Sequence, residues 1–305
     1  MTMRVILKSM FSTDIASEDE FAVLSRAISV ALAQIGKRVL SLVSVPESWP
    51  TPGNRAFDEA IRTLDAYVYR IIDERRRSGK EMDDLLGMLL EARDAETGEG
   101  MSDTQLRDEV MTLFLAGHET TANLLTWAWP LIAMHPEVEQ RLHAELDTVL
   151  GGRLPTAADL QALRYTRMII DETLRMYPIA WLVSRRPNED DNVGGYRIPA
   201  GANVLVSPYV IHHSPTYWEN PEQFDPERFA PDREDNRPRY AYFPFGGGPR
   251  MCIGNSFALM EAQLIIATVA QAYRLRLASD EKPELNASIT LIPRKPIMMN
   301  ALPRR

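Results

Sequence analysis

Cys252 is the only cysteine in the 305-residue chain. It cannot be half of an internal disulfide, nor one corner of a multi-cysteine zinc site. It lies within Phe245-Gly246-Gly247-Gly248-Pro249-Arg250-Met251-Cys252-Ile253-Gly254. A helical pattern follows directly, with Ile253, Phe257, Met260, Leu264 and Ala267 recurring as one apolar face. At a helix N-terminus the positive end of the dipole and the unpaired N–H groups both favour thiolate over thiol. The glycines let the backbone turn tightly and approach a flat object closely, and Arg250 offers a fork of donors to a carboxylate. The competing interpretation is a small buried hydrophobe in a glycine-rich turn. A phosphate loop is disfavoured because no Gly-Lys-Ser/Thr follows the glycines.

Two further constellations precede this loop. Ser102, with Gln105 three residues on, predicts the capped start of a long helix, whose apolar positions include Leu106, Val110, Leu113, Leu124 and Ala128. Mid-helix lies Ala116-Gly117-His118-Glu119-Thr120-Thr121, and a glycine, a carboxylate and two hydroxyls are poor company there. The hydroxyls can bond back to the preceding turn and bend the helix. Taken alone, an exposed glutamate with helix-bending threonines explains the segment as well as chemistry does. Glu172 and Arg175 stand at i, i+3 and meet on one helix face; by themselves they read as a surface pair worth a few tenths of a kcal/mol. Downstream comes Pro226-Glu227-Arg228-Phe229.

Phe245-x-x-Gly248-x-Arg250-x-Cys252-x-Gly254 resembles the heme-binding signature of the cytochrome P450 family, the heme-thiolate monooxygenases, in which the thiolate pushes electron density toward O–O cleavage. The resemblance implies that Cys252 binds the iron, that Arg250 and Arg185 hold the propionates with Arg186 as competitor, and that Phe245, Gly248, Gly254, Ala116 and Gly117 contact the cofactor. Ala116–Thr121 resembles the family's acid–alcohol motif. By that likeness Glu119 feeds protons and Thr120 holds the bound oxygen and its water. Glu172-x-x-Arg175 with Arg228 resembles a buried structural network. Phe114, Leu115, Ile179, Ala180, Trp181 and Leu182 would line the substrate space.

The implied fold is mainly α with small β-sheets, P450-like. The implied cofactor is heme b (iron protoporphyrin IX). The implied reaction puts one atom of O2 into a small hydrophobic substrate and the other into water. With no G-x-G-x-x-G fingerprint in view, electrons would come ultimately from NAD(P)H through a separate ferredoxin- or flavodoxin-type donor or reductase. Arg233, Arg237 and Arg239 either dock an acidic partner or are solvated loop charges. Two other classes compete: a heme-thiolate isomerase or dehydratase acting on a peroxide, against which Glu119-Thr120 counts, and a non-catalytic heme-binding fragment.

Composition bounds these expectations. With 34 basic and 42 acidic side chains, a net charge of −8 and 45% hydrophobic residues, the chain reads as globular and not as a nucleic-acid binder. One cysteine fits a reducing, cytoplasmic setting. No apolar run reaches the ~20 residues of a membrane span, and the start shows no signal-peptide pattern. Helices are expected over about 18–35, 54–78, 81–93, 136–150 and 157–177. The proline-rich stretch 44–54 should be loop, the charge run 73–77 a solvated face, and Pro130 the end of the long helix. A hairpin is expected over 194–201, strands over 204–210, 274–277 and 289–299, and structural roles for His212 and His213. The whole reads as one partial heme-binding domain, 1–305. It is helix-rich over 1–177 and 253–272, β-rich over 178–212 and 274–305, with the cysteine loop at 243–254. The central helix begins closer to Met1 than the family's architecture implies, residues 5–11 open on an apolar run without a cap, and no Trp-x-x-x-Arg lies upstream. The expectation is therefore a fold lacking its N-terminal part, and a poor heme binder alone.

Overall fold

The computed structural model describes residues 1–41, 45–234 and 237–304. The chain divides into two compact units, Met1–Ala122 and Asn123–Arg305.

The first unit contains α1 (Thr2–Phe11), α2 (Glu18–Leu40), α3 (Pro52–Ser78), α4 (Leu85–Glu91) and the start of α5 (Asp103–Met134). The helices begin where capping chemistry says they should. The Ser17 hydroxyl accepts from the Glu20 N–H, Thr51 from Asn54 with Pro52 in the first turn, and Asp84 from Gly87. Ser102 and Gln105 form the expected reciprocal box at the head of α5, at 2.9 and 3.3 Å. Met3, Ile6, Leu7 and Phe11 of α1 are buried, as are Leu64, Val68, Ile71 and Ile72 of α3. The charge run at the end of α3 is not wholly solvated. Arg75 pairs with Asp84 at 2.6 Å, both side chains are buried, and Arg75 also donates to the Phe11 carbonyl at 2.9 Å. One guanidinium thus ties the ends of α1, α3 and α4. Of the proline-rich loop, Ser44 lies outside the described residues, and the helix starts at Pro52, earlier than Asn54.

The second unit holds the rest of α5, then α6 (Pro136–Leu150), α7 (Arg164–Met176), α8 (Pro208–His212), α9 (Pro231–Glu234) and α10 (Asn255–Ala272). Among the described residues, four two-stranded antiparallel sheets accompany them. They pair β1 (Val183–Arg185) with β4 (Val204–Val206), β2 (Asp191–Val193) with β3 (Tyr196–Ile198), β5 (Tyr273–Leu277) with β8 (Met299–Pro303), and β6 (Leu285–Ala287) with β7 (Leu291–Pro293). The core gathers Trp127 and Leu131 of α5, Leu142 and Leu146 of α6, Ile169 and Ile170 of α7, and Ala262 and Ile266 of α10. Helix α5 runs on through Pro130 to Met134, which corrects the expected end. A proline forfeits one intrahelical bond and crowds the carbonyl four residues back, about 3 kcal/mol, and the burial of Leu131 and Ile132 offsets that cost. The strand expected over 204–210 stops at Val206, because the Ser207 hydroxyl accepts from the Val210 N–H and Pro208 opens α8. The helix expected over 157–177 splits into a 3-10 turn, Ala157–Asp159, and α7. Glu145 of α6 supplies the α7 cap, taking the Thr166 N–H at 2.9 Å.

Among the described residues, no helix is long and apolar enough to cross a membrane.

Candidate active site

The cysteine loop is a closed turn of backbone. Gly246 N–H bonds to Phe243 O, Met251 N–H to Gly248 O, and Cys252 N–H back to Phe245 O, each at 3.0 Å. Gly246 and Gly248 sit at φ +74° and +71°, a region costly for any residue with a Cβ. At both, nothing lies within 4 Å of where a Cβ would stand. At Gly247 a Cβ would run into the Tyr240 ring at 2.7 Å. Gly254 keeps clear the space beside the sulfur, since a Cβ there would lie 3.9 Å from Cys252 Sγ.

Cys252 is exposed, as are its neighbours Met251 (53%) and Ile253 (92%). Such exposure of large apolar side chains around one sulfur is what a broad apolar ligand would cover. Helix α10 begins at Asn255, with Gly254 as cap and no side chain closing its first turn. The expected apolar face of α10 is shifted. Leu259, Ala262, Gln263, Ile266, Ala267 and Ala270 are buried, while Ile253 lies ahead of the helix. Gln263 fixes the helix by donating to the Leu160 and Leu163 carbonyls at 2.9 and 2.7 Å. Arg250 ends a 3-10 turn, Gly248–Arg250, and is exposed. Arg185 and Arg186 are both exposed, and Arg185 donates to the Ser184 carbonyl at 2.9 Å. One exposed soft ligand in an open glycine-lined cradle, with cationic forks in the same unit, fits a heme with its propionates.

Behind the loop lies a buried ion network. Glu172 and Arg175 are fully buried, with Arg175 Nε and Nη2 donating to the two carboxylate oxygens at 2.7 and 2.9 Å. The pair is a hub. Arg175 also donates to His212 O at 2.8 Å and Gln223 O at 3.2 Å, and Glu172 accepts from the Asp225 N–H at 2.9 Å. Arg228 Nε lies 3.3 Å from Glu172 Oε1, while its Nη2 donates to Asn220 O at 2.9 Å. Burial pushes the Glu172 carboxyl up from the ordinary range, opposed by Arg175, the Asp225 N–H and Arg228.

His212 continues the hub. Its Nδ1 meets Arg175 O at 3.2 Å and its Nε2 accepts from the Phe243 N–H at 3.0 Å. The Tyr242 hydroxyl donates to Asp171 Oδ1 at 3.0 Å. The chain entering the cysteine loop is therefore pinned to α7 and α8, links that no sequence signal announced. Arg237 stacks over Trp218 and Phe229 and donates to Arg228 O, and Arg233 pairs with Asp225 at 3.3 Å. Both contacts tie this segment together.

In the first unit, α5 carries Ala116, Gly117, Glu119 and Thr120. The Thr120 hydroxyl donates to Ala116 O at 2.7 Å. Gly117 packs against α1, where a Cβ would meet Ile6 Cδ1 at 2.6 Å. His118 Nδ1 lies 2.8 Å from the Thr2 hydroxyl, and burial brings its pKa down to about 4. Glu119 and Leu115 are half-buried, and Phe114 is buried in a stack with Tyr67 at 5.9 Å. In the second unit, Ile179 is buried in the core, Trp181 and Leu182 are half-buried and Ala180 is exposed. The Trp181 indole donates to Ser288 O at 2.8 Å.

Comparison with known proteins agrees with this geometry. A model of the family "Cytochrome P450" matches residues 1–301. Over 278 residues the chain is 44% identical to cyclooctat-9-en-7-ol 5-monooxygenase of Streptomyces melanosporofaciens, covering 90% of this chain and 60% of that protein. It is 37% identical over 283 residues to pentalenene oxygenase of Streptomyces avermitilis, covering 92% and 62%. The chain thus spans about 60% of the length of these curated relatives. A crystal structure of the cytochrome P450DA heme domain superposes with a TM-score of 0.89 at 33% identity, covering all of this chain and 66% of that one. A lone thiol in an open glycine cradle, an arginine–glutamate hub behind it and a match along nearly the whole sequence have one common explanation: the chain belongs to the cytochrome P450 family.

Proposed function

We propose that this chain is the heme-binding part of a monooxygenase that inserts one oxygen atom of O2 into a hydrophobic substrate. The observation that carries this reading is Cys252, an exposed lone thiol just ahead of α10 in a loop turned by the left-handed Gly246 and Gly248. Bound through a thiolate, heme supplies oxygen activation: substrate C–H, O2, two electrons and two protons give the alcohol and water. Cys252 would ligate the iron. Arg250 and Arg185 would hold the propionates as charge-assisted pairs, and Phe245, Gly248 and Gly254 would leave room for the ring. Glu119 delivers protons. Thr120, whose own proton is given to Ala116 O, keeps lone pairs that would accept a hydrogen bond from a proton-carrying water.

Ile179, Ala180 and Leu182 border the substrate space. The relatives' names, on cyclooctat-9-en-7-ol and pentalenene, support a cyclic terpene-like substrate. The electron donor is a separate ferredoxin- or flavodoxin-type protein or reductase drawing on NAD(P)H. A single cysteine supports a cytoplasmic setting. The family match, which runs through both compact units, supports one heme-binding domain.

The test is to load the full chain with heme, reduce it and add carbon monoxide. A thiolate-type band is expected, abolished in Cys252→Ser. A band unchanged by that substitution refutes the ligand assignment.

A further inference from the structure

We infer that Trp127 and Trp181 are positioning residues that fix how far the 179–182 strap stands from the turn between β6 and β7, and so set which substrates fit. The inference rests on the reading above that this strap borders the substrate space.

An indole N–H is a donor only, and when half-buried it needs an acceptor. Both indoles find theirs on main-chain carbonyls of the same hairpin. Trp181 Nε1 donates to Ser288 O at 2.8 Å, and Trp127 Nε1 to Leu291 O at 3.0 Å. Between them the Leu291 N–H donates to Ile179 O at 3.0 Å. The strap is also held from its other side, where the Ser207 hydroxyl donates to Trp181 O at 2.8 Å. Trp127 cannot drift, because it lies flat on Tyr177 with ring centroids 4.0 Å apart and planes 2° from parallel. Asn123 Nδ2 reaches the same turn at Thr290 Oγ1, 3.3 Å away.

Trp181, expected as a pocket wall, therefore spends its polar edge on the hairpin. A phenylalanine would fill most of its volume yet leave the Ser288 carbonyl without that donor, which loosens the turn rather than emptying the site. Because the ties run carbonyl to indole, no other apolar residue can replace them. Their effect falls on the shape of the space and not on the iron, whose ligand lies in a different loop.

The experiment uses the full heme-loaded chain and two probes that bind the iron through the same nitrogen chemistry, imidazole and 4-phenylimidazole. Imidazole reports the iron alone, while 4-phenylimidazole must also seat its ring beside the strap. Trp181→Phe is expected to weaken 4-phenylimidazole about 5- to 10-fold, as the loss of one buried hydrogen bond implies, and to leave imidazole and the carbon monoxide band unchanged. Trp127→Phe should act in the same direction. Equal affinities of wild type and variants for both probes overturn the inference, and so does equal weakening of both, which would mark a general structural defect.

A second measurement stands apart from heme chemistry. In the heme-free chain, amide exchange at Leu291 and across 179–182 should rise at least about 5-fold in Trp181→Phe while α6 and α7 stay protected. Unchanged exchange overturns the inference. A chain showing that exchange difference but no thiolate-type band would instead sink the monooxygenase reading and leave the tie itself standing.

Discussion

Thr120 shows how a residue can be legible in type and opaque in use. Its likeness to the acid–alcohol motif implies proton chemistry, and a hydroxyl in mid-helix predicts back-bonding. The bond to Ala116 O at 2.7 Å reconciles the two, because a hydroxyl whose proton is committed can still accept. Thr120→Ala removes that acceptor and leaves the apolar lining intact. In the heme-loaded protein with a supplied NAD(P)H-driven reductase, substrate affinity should change less than about 2-fold, while product formed per NAD(P)H consumed falls several-fold and peroxide rises. Thr120→Ser should restore much of the coupling. Unaltered coupling in the alanine variant would remove Thr120 from the proposed proton path. The Glu172–Arg175 spacing was equally plain, but not its burial. A sequence shows that two side chains share a helix face. It does not show that the carbonyls of His212 and Gln223 will close around the guanidinium, since carbonyls carry no residue-type signal. The same holds for Arg237, whose charge allows either a docking surface or a solvated loop, and which stacks on Trp218 and Phe229.

At the scale of elements, the helices were legible wherever amphipathic spacing and caps coincided, as at α2, α3, α5 and α6. Where element bounds depart from the pattern, one local signal is overridden by a competing one. Pro130 signalled a stop, but burial of the following turn carried α5 through it. The apolar face of α10 was counted from Ile253, a residue outside the helix, which rotated the register. The run Val204–Val210 looked like strand until the Ser-Pro start of α8 intervened. Helix α4 illustrates the opposite economy. Only seven residues long, it is too short to persist without tertiary help, and Asp84 provides it twice, as cap to Gly87 and as partner to Arg75. Asp84→Ala removes the cap and leaves a buried guanidinium unpaired. It should cost about 3 kcal/mol or more, read as a lower midpoint in urea unfolding of the heme-free chain. A loss below about 1 kcal/mol would deny Asp84 this double role.

For the molecule as a whole, the acid limb of stability should carry the mark of His212. Burial brings its pKa down to about 3 from 6.5, and its neutral Nε2 is required as acceptor for the Phe243 N–H. The unfolded chain takes up a proton below about pH 6.5 that the folded chain refuses. The contribution is therefore complete above that pH and drains away as pH falls toward 3, by up to about 1.4 kcal/mol per pH unit. Stability measured from pH 7 to pH 4.5 should fall more steeply in the wild type than in His212→Gln, and parallel curves would deny the histidine this role. The exposed sulfur of Cys252 has a consequence of another kind. One accessible thiol per chain makes the heme-free protein self-reporting: a maleimide tag adds a single mass increment, and a ligated sulfur resists the tag, so the tagged fraction counts vacant molecules. The same sulfur is also a hazard in storage, because two vacant chains can oxidise into a covalent pair that reductant splits and bound cofactor forestalls.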